Sequence, residues 1–456
     1  MSEIQEEQNI VTDVHGHDYQ LKSILGRGGQ GAVWQTEHPN VLIKLSTVSD
    51  ENKRQRWQDH IAWLMRRDLK SLKLALPLAT LEAPSHGYVM ELMEGLVPLT
   101  GLLETQFLQN AEGYLATGGL SRRLRLLRQL ASTLTRLHGR GMQFGDLSPS
   151  NIFISAEPQH AEVWLIDCDN ISLEAKPCQP LYTQDYGAPE LVRGDAPAST
   201  LTDAWSFAVI AYQMLTINHP LKGDMILDGE AEHEERALRG EFPWINDPSD
   251  DSNRSYRNIP EAMVTTPRLA RLFAECFGKG KDDPLERPSM ASWLEAFQEA
   301  CERTVICSHC TSTSLFTTAK RCPFCDTPLD DDYVLLQEIE FIPLSLLPED
   351  AKKSDRLTQT GRFVLLQSGD EVDLRPNLPT FMEGMPHAAL ARLAWHENDL
   401  WIDPLESPVS LQRGDTASPV KTRYQLKGEF RGNDQSAYWL IIGEENQPMV
   451  MWRFTW

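Results

Sequence analysis

The chain has 456 residues and a formal net charge of -22. This length exceeds one ordinary hydrophobic core and predicts two or three domains, while the acidic balance argues against a sequence-independent nucleic-acid binder or a protein that adheres to anionic membranes. Residues 1–13 lack the basic and apolar regions of a secretory signal, and no uncharged apolar run reaches about eighteen residues, so we expect a cytoplasmic protein without a transmembrane helix.

Residues 19–45 contain short apolar runs broken by glycines, a pattern that predicts a twisted antiparallel hairpin followed by a third strand. Four glycines mark the turn of this hairpin: Gly26, Gly28, Gly29 and Gly31. Such a hairpin can place backbone N–H groups over phosphates, because no side chain blocks a close approach. A hairpin whose glycines are simply mobile has the same pattern, so this signal alone does not decide between the two.

A lysine follows in the predicted strand "VLIK", where Lys44 stands thirteen residues after Gly31. From that position its ammonium can reach the α and β phosphates of a nucleotide. Residues 50–70 are polar and helix-prone, and "GYVMELMEG" predicts a strand that runs into a turn. The segment "SRRLRLLRQLASTLTRLHGRG" has apolar residues at spacings of three and four and ends on glycine, which predicts an amphipathic helix.

Two polar stretches after this helix carry the residues of chemical interest. The stretch "MQFGDLSPSNIFI" contains Asp146 and, five residues later, Asn151, and the apolar strand of "VWLIDCDN" ends at Asp167. A capped loop between a helix and a strand gives the same local pattern. The glycine hairpin and the strand lysine earlier in the chain favour a functional interpretation.

Four elements occur in this order: the glycine-rich hairpin, the strand lysine, the loop with Asp146 and Asn151, and the strand that ends at Asp167. In this combination and order the sequence resembles the protein kinases. The resemblance implies that Asp146 accepts the proton of the acceptor hydroxyl, that Lys44 contacts the phosphates of ATP, and that Asn151 and Asp167 hold Mg²⁺. It also implies a set of nucleotide-binding residues: Gly26, Gly28, Gly29, Gly31, Val33, Lys44, Met90, Glu91, Met93, Asn151 and Asp167.

The later motifs resemble protein kinases more closely than small-molecule phosphotransferases, which share the "GD" of the loop. "YGAPEL" matches the A-P-E motif with Glu190, and "DAWSFAVIAYQMLT" matches the helix whose buried Asp203 supports the catalytic loop. The resemblance implies that Arg287 pairs with Glu190. It also makes Met90 the gatekeeper and residues 91–93 the hinge that contacts adenine.

The sequence also departs from the family pattern. Gly145 replaces the arginine beside the catalytic aspartate, Ser148 replaces a lysine that contacts the γ-phosphate, and Cys168 replaces phenylalanine in D-F-G. The helix after Lys44 offers no obvious glutamate partner for that lysine, and Asp59 is preferred over Glu51 as the candidate.

The missing arginine has a regulatory consequence. In the family, that cation pairs with a phosphate on the activation loop and so orders the loop. Gly145 offers no such charge, so we expect activity that does not require loop phosphorylation. Ser172, Tyr182 and Thr183 are the hydroxyl residues of this loop, and side chains without a regulatory role are the favoured interpretation of all three. Among them Thr183 is the best candidate phosphoacceptor, because it lies just before "QDYGAPEL".

Four of the eight cysteines form two Cys-x-x-Cys pairs with eleven residues between the pairs. They are Cys307, Cys310, Cys322 and Cys325. Four thiolates on two short knuckles predict a structural zinc ribbon, whereas a redox site needs one pair and not two. His309 within the first knuckle is interpreted as a solvated bystander. A module of this size buries little core, so zinc is expected to drive its folding.

The tail from residue 333 to residue 456 consists of alternating runs such as "RFVLLQ" and "YWLIIG", which predict an all-β domain. It faintly resembles a forkhead-associated β-sandwich around His387 and Ala388. Gly384 and Met385 stand where that family has its phosphothreonine-binding serine and arginine, which argues against a phosphopeptide site. A β-sandwich that packs on the kinase or binds a partner is the alternative.

The sequence therefore predicts an α+β, bilobal kinase-like fold over residues 19–301, with lobes at 19–93 and 94–301. A flexible N-terminus precedes it over residues 1–18, and a zinc ribbon over 302–332 and the β-rich domain follow it. The expected activity is that of an ATP- and Mg²⁺-dependent bacterial Ser/Thr protein kinase that acts on protein substrates. An ATP-binding pseudokinase scaffold and a small-molecule phosphotransferase stay open as alternatives.

The order of the modules suggests partners. A kinase followed by a zinc ribbon resembles the kinases of phosphorylation triads linked to tellurite resistance, which implies a von Willebrand A-type protein and a PP2C-type phosphatase as partners.

Overall fold

The structure is a computed structural model, and it describes residues 10–27, 31–91, 93–174, 182–316, 321–329, 333–375, 388–431, 437–444 and 446–456. The chain divides into two compact units. The first unit comprises residues 1–261 and 270–294, and the second comprises residues 262–269 and 295–456.

The strands, numbered in chain order, are β1 (Ile10–Thr12), β2 (Asp18–Arg27), β3 (Gly31–Thr36), β4 (Val41–Ser46), β5 (Ala79–Thr80), β6 (Gly87–Glu91), β7 (Leu96–Pro98), β8 (Met142–Gln143), β9 (Ile152–Ser155), β10 (Val163–Leu165), β11 (Ser172–Leu173), β12 (Thr304–Ile306), β13 (Thr313–Leu315), β14 (Tyr333–Phe341), β15 (Leu357–Gln367), β16 (Glu371–Leu374), β17 (Ala391–His396), β18 (Asp399–Pro404), β19 (Val409–Arg413), β20 (Thr416–Val420), β21 (Tyr424–Leu426), β22 (Tyr438–Ile442) and β23 (Met449–Phe454).

The α-helices, numbered in the same way, are α1 (Glu51–Leu64), α2 (Leu99–Ala116), α3 (Gly119–His138), α4 (Pro189–Arg193), α5 (Thr200–Thr216), α6 (Asp224–Leu227), α7 (Ala231–Leu238), α8 (Glu261–Val264), α9 (Pro267–Phe277), α10 (Lys279–Asp282) and α11 (Met290–Glu302). Among the described residues, none of these helices combines the length and the apolar character needed to cross a bilayer.

A six-stranded antiparallel sheet opens the first unit, with strand order β1-β2-β3-β4-β6-β5. Strand β1 pairs with β2, and Val11 packs in the apolar cluster of this sheet. This corrects the expected flexible N-terminus over residues 1–18, because β1 and the start of β2 fall within that range. The polar composition concealed the strand, since the buried Asp13 carboxylate accepts hydrogen bonds from the backbone N–H of His15 and the hydroxyl of Tyr19.

The helical part of the first unit is arranged around α5, which is buried along nearly its whole length. A helix that is apolar on all sides must be enclosed by other elements. Its N-terminus is fixed by a capping box, in which Ser199 accepts from the Thr202 backbone N–H and the Thr202 hydroxyl accepts from the Ser199 backbone N–H. Helix α3, amphipathic as predicted, packs against α5. Asp203, in the first turn of α5, thereby lies beside the loop that follows β8.

The C-terminal part of the second unit is all-β, as the alternating runs predicted. Two antiparallel sheets, β15-β14-β23-β22-β19-β20 and β16-β17-β18-β21, share one apolar core. Trp395 of β17 and Leu440 of β22 are both fully buried in it. The residues on which a forkhead-associated site depends lie outside the described residues: Gly384, Met385 and His387.

The cysteine-bearing segment belongs to the same unit. The β12–β13 hairpin contributes Val305 to an apolar cluster that includes Leu365 of β15. The ring of Phe316 lies 5.8 Å from that of Tyr333 at the start of β14. We predicted separate modules over residues 302–332 and 333–456, and the structure joins them through this cluster.

Candidate active site

The glycine-rich hairpin consists of β2 and β3, with Gly26 opposite Val33. A Cβ atom on Gly31 would lie 2.6 Å from the carbonyl oxygen of Leu45, so only glycine fits there. A Cβ atom on Gly26 would meet no protein atom within 4 Å, so packing does not require glycine at that position.

The predicted gatekeeper and hinge lie at the end of β6. Met90 is 9% exposed and stands opposite Leu42 of β4. Glu91 is exposed and Met93 is half-buried. Three residues of the predicted phosphate loop and hinge lie outside the described residues: Gly28, Gly29 and Leu92.

Lys44 is the buried cation of the site. It lies on β4 and is 5% exposed. Its Nζ donates to Asp169 Oδ1 at 3.0 Å and Oδ2 at 2.9 Å, and also to Asp167 Oδ1. Burial acts to lower the pKa of Lys44, but the two carboxylates outweigh burial and raise this pKa above its ordinary value. The lysine is therefore held charged between two acidic side chains of one loop.

The acidic partner of Lys44 is not the one that the sequence suggested. Asp59 is exposed on α1, and its Oδ1 accepts from Gln55 Nε2 at 2.9 Å. Glu51 is also exposed and accepts from Arg54. Each helix residue advances by about 100°. Trp57 of this helix faces the site, since its Nε1 donates to Asp169. Asp59, two residues later, lies about 200° further round the helix and faces away from the lysine.

Asp203 supports the predicted catalytic loop through hydrogen bonds to its backbone, as the motif implied. Its carboxylate accepts from the backbone N–H of Phe144 at 2.6 Å and of Gly145 at 2.9 Å. The ring of His138 lies beside the same carboxylate, with Nε2 3.0 Å from Oδ2. Gly145 has φ +91, and a Cβ atom there would lie 3.1 Å from the carbonyl oxygen of Asn170, so the arginine of the family pattern would be strained here.

Asp146 lies in this loop and is hydrogen-bonded to the predicted Asn151 and to Thr183. Asn151 Nδ2 donates to the backbone oxygen of Asp146 at 2.9 Å, and the Thr183 hydroxyl donates to Asp146 Oδ1 at 2.9 Å. Burial raises the pKa of the Asp146 carboxyl above its usual value, although these hydrogen bonds oppose the shift. The arrangement holds a carboxylate of increased basicity in a fixed orientation.

The backbone brings Asp167 next to Asn151. Ile166 donates its N–H to the Asn151 carbonyl at 2.9 Å, immediately before Asp167. Asp167 adopts the left-handed conformation, with φ 60. Burial, followed by the charge of Asp169, raises the pKa of Asp167 to about 6. Cys168, which replaces the family phenylalanine, is fully buried.

Glu190 and Arg287 form the ion pair that the resemblance implied. Arg287 Nη1 and Nη2 each donate to one Glu190 oxygen at 2.7 Å. The guanidinium also lies 4.9 Å from the ring of Trp205 on α5. The bidentate pair ties the segment after the activation loop to the buried helix.

The four predicted metal ligands converge in the second unit. The Sγ atoms of Cys307 and Cys325 are 3.7 Å apart, and those of Cys310 and Cys322 are 3.6 Å apart. All four sulfur atoms lie within 4.8 Å of one another. Tetrahedral zinc with Zn–S bonds of about 2.3 Å places its sulfur ligands about 3.8 Å apart, so the cluster has the dimensions of such a site.

Two residues of the site were missed by sequence reasoning. Asp169 pairs with Lys44, and Trp57 on α1 donates from Nε1 to Asp169 Oδ2 at 2.9 Å. For Asp169 the available signal in the sequence was "DCD", in which a second aspartate takes the place of the D-F-G glycine. For Trp57 the only signal was its helical position, two residues before Asp59.

Two of the three candidate phosphoacceptors of the activation loop make side-chain hydrogen bonds. Thr183 donates to Asp146, and the Ser172 hydroxyl is buried and accepts from Gln143 Nε2 at 3.0 Å. Thr183 therefore contacts Asp146 without a phosphate, and activity that does not require loop phosphorylation stays a prediction.

This role of Thr183 can be tested directly. Thr183→Ala is expected to lower the transfer rate about tenfold or more at unchanged ATP affinity, because hydrogen bonds to charged groups contribute about 1.5–3 kcal/mol. Thr183→Ser should retain most of the activity because it keeps the hydroxyl. Initial rates at saturating ATP check this, with phosphatase-treated wild type expected to remain active. Loss of wild-type activity after phosphatase treatment would contradict the account.

Comparison with known proteins supplies the family. A family described as "Protein kinase domain" matches residues 19–298. Serine/threonine-protein kinase PknD of Chlamydia abortus is 28% identical over 235 residues, which are 45% of this chain and 24% of that protein. The PknD protein of Chlamydia felis is 27% identical over 235 residues, with the same shares of 45% and 24%.

A shorter match reaches a eukaryotic protein. Serine/threonine-protein kinase 17A of Oryctolagus cuniculus is 35% identical over 104 residues, which are 22% of this chain and 26% of that protein. The chain thus spans about a quarter of the length of the curated relatives that it matches.

Proposed function

Because this chain belongs to the protein kinase domain family, we propose that it is a serine/threonine protein kinase that transfers the γ-phosphate of ATP to protein hydroxyl groups. The observation that carries the proposal is the convergence of Lys44, Asp146, Asn151 and Asp167 around one loop and one strand. The names of the matched relatives support the Ser/Thr class.

The residues have distinct roles in this proposal. Asp146, with its raised pKa and fixed orientation, accepts the proton of the acceptor hydroxyl and orients its oxygen toward the phosphate. Lys44 contributes a positive charge to the nucleotide phosphates. Gly26 and Val33 lie on the hairpin that would cover the nucleotide, and Met90, Glu91 and Met93 would line the adenine end.

Asn151 and Asp167 would hold Mg²⁺. The residue before Asp167 is hydrogen-bonded to the backbone of Asn151, and oxygen ligands of these types suit this ion. Burial and the charge of Asp169 raise the pKa of Asp167 to about 6, so a cation would stabilise its charged form. Bound Mg²⁺ would neutralise charge on the ATP phosphates.

The four-cysteine cluster is proposed to hold one structural zinc ion. The sulfur spacings of 3.6 and 3.7 Å fit a closed tetrahedral shell. A closed shell has no open position for substrate, so the expected role is structural.

Protein acceptors follow from the proposed activity, and two partners are proposed from the order of the modules alone. They are a von Willebrand A-type protein and a PP2C-type phosphatase, by resemblance to the tellurite-resistance triads.

An ATP-binding scaffold without transfer is the second candidate. Ser148 favours it, because this residue is fully buried and its Oγ lies 2.8 Å from Ser150 Oγ. Because serine is uncharged, this position supplies no cation beside Asp146, whereas the family pattern has a lysine there.

A transfer assay tests the proposed function. With γ-labelled ATP, Mg²⁺ and a generic protein acceptor, wild type should label the acceptor, and Lys44→Met should reduce the rate at least about a thousandfold by removing a charge at the phosphates. Lys22→Met, a change of an exposed lysine on β2, is the matched control and should leave the rate unchanged. Full activity of Lys44→Met would overturn the assignment of the site.

A further inference from the structure

The family pattern has a glycine at the position of Asp169 and assigns this position no charged group. The Asp169 carboxylate is nevertheless among the most deeply buried groups of the site. Its side chain is 0% exposed. It lies in a short 3-10 turn, Cys168–Asn170, directly after Asp167. Both of its oxygens face Lys44 Nζ, at 3.0 and 2.9 Å.

Helix α1 is linked by a hydrogen bond to the carboxylate that pairs with Lys44. Trp57 Nε1 donates to Asp169 Oδ2 at 2.9 Å. The Trp57 ring packs 5.7 Å from the ring of Tyr88, which stands opposite Lys44 in the β4–β6 register. The indole is therefore held by packing on one side and by a hydrogen bond on the other.

We propose that Asp169 is the acidic anchor that positions Lys44 for nucleotide phosphates, and that Trp57 is the positioning residue through which α1 holds this anchor. The inference rests on the proposed function, since it concerns the lysine of the same site. Burying an unpaired charge is costly, so the buried ammonium of Lys44 needs a counter-charge beside it. If Asp167 binds metal, Asp169 is the carboxylate that stays with Lys44.

An ion pair between Lys44 and a carboxylate on α1 would depend directly on the position of that helix, and the Lys44–Asp169 pair does not. The Lys44–Asp169 ion pair joins a strand to the loop that also carries Asp167, so it does not require a charged group on the helix. Helix α1 contributes one neutral N–H instead. Loss of the anchor charge should therefore have a larger effect than loss of the indole N–H.

The experiment compares four variants with wild type. Asp169→Asn removes the charge and keeps the shape, Trp57→Phe removes the N–H and keeps a ring, and Asp59→Asn is the matched control on the exposed side of α1. The double variant Asp169→Asn/Trp57→Glu returns a carboxylate from the helix. The readouts are the Kd for ATP with Mg²⁺ by calorimetry, the KM for ATP, kcat, and the melting temperature without nucleotide.

Asp169→Asn is expected to weaken ATP binding about tenfold and to lower kcat/KM for ATP about a hundredfold, because loss of one partner of a buried charge pair is costly. The KM for the protein acceptor should not change. Trp57→Phe should show a several-fold loss and Asp59→Asn none. The double variant should recover about tenfold relative to Asp169→Asn, a gain that a merely structural role would not produce.

Wild-type ATP affinity and kcat/KM in Asp169→Asn would overturn the proposal, as would an equal loss in Asp59→Asn. A lowered melting temperature with unchanged ATP affinity in Asp169→Asn would also overturn it, since the residue would then act on folding alone. If wild type bound ATP but transferred no phosphate, the proposed function would fail while the calorimetry would still decide the role of Asp169.

Discussion

An Asp146→Asn variant is expected to bind ATP as wild type does and to transfer phosphate about a thousandfold more slowly. The carboxamide keeps the shape of the side chain and accepts the Thr183 hydrogen bond, but it cannot take up the hydroxyl proton. General base catalysis contributes about 10²–10⁴-fold to a rate. Calorimetry gives the ATP affinity, and initial rates at saturating ATP give kcat.

The matched control is Asp195→Asn, a change of an exposed carboxylate that follows α4. It should leave both ATP affinity and kcat unchanged. The pH profile of wild type provides a second check. Because burial raises the pKa of Asp146, protonation should reduce kcat at a higher pH than for an exposed aspartate. A large loss of ATP affinity in Asp146→Asn would show that this residue contributes to nucleotide binding instead.

Purified wild type is expected to contain about one zinc ion per chain, and Cys322→Ser to lose it together with the folding of the cysteine-bearing segment. Zinc binding contributes about 10–16 kcal/mol to folding in small zinc domains. Cys322 is buried in the cluster that joins this segment to β14 and β15, so the sandwich should also be destabilised. Elemental analysis and thermal unfolding are the measurements.

Cys301→Ser is the control for this prediction, since Cys301 lies in the second unit outside the four-sulfur cluster. It should retain zinc. ATP binding by Cys322→Ser should stay near the wild-type value because the first unit has its own apolar interior. Zinc-free wild type would refute the metal assignment, and loss of ATP binding in Cys322→Ser would show that the segment stabilises the nucleotide site.

The parts of the site that sequence could predict are those encoded by short-range spacing. Asp146 and Asn151 are five residues apart in one loop, and their contact follows from that spacing. Cys307 and Cys310 form one knuckle and Cys322 and Cys325 the other, so their convergence needs only two turns that face each other. The alternating tail likewise predicted β-structure, because its period is a local property.

The parts that sequence could not predict depend on which side of an element faces the site. The choice between Trp57 and Asp59 is set by the rotation of α1 against the sheet, and no local pattern fixes that rotation. Strand β1 was missed because it is only three residues long and because Asp13, which follows it, is polar yet buried. The Trp57–Asp169 hydrogen bond joins residues 112 positions apart, and Asp13 forms a bridge with Leu81, so neither contact is a local property of the sequence.

The most direct test of the central claim is the identity of the phosphorylated product. Wild type is incubated with γ-labelled ATP, Mg²⁺ and a generic protein acceptor, and the labelled acceptor is hydrolysed to its amino acids beside an Asp146→Asn control. The account predicts label on phosphoserine and phosphothreonine that is lost in the control. Label confined to a small molecule, or ATP-dependent stabilisation without any transfer, would contradict it.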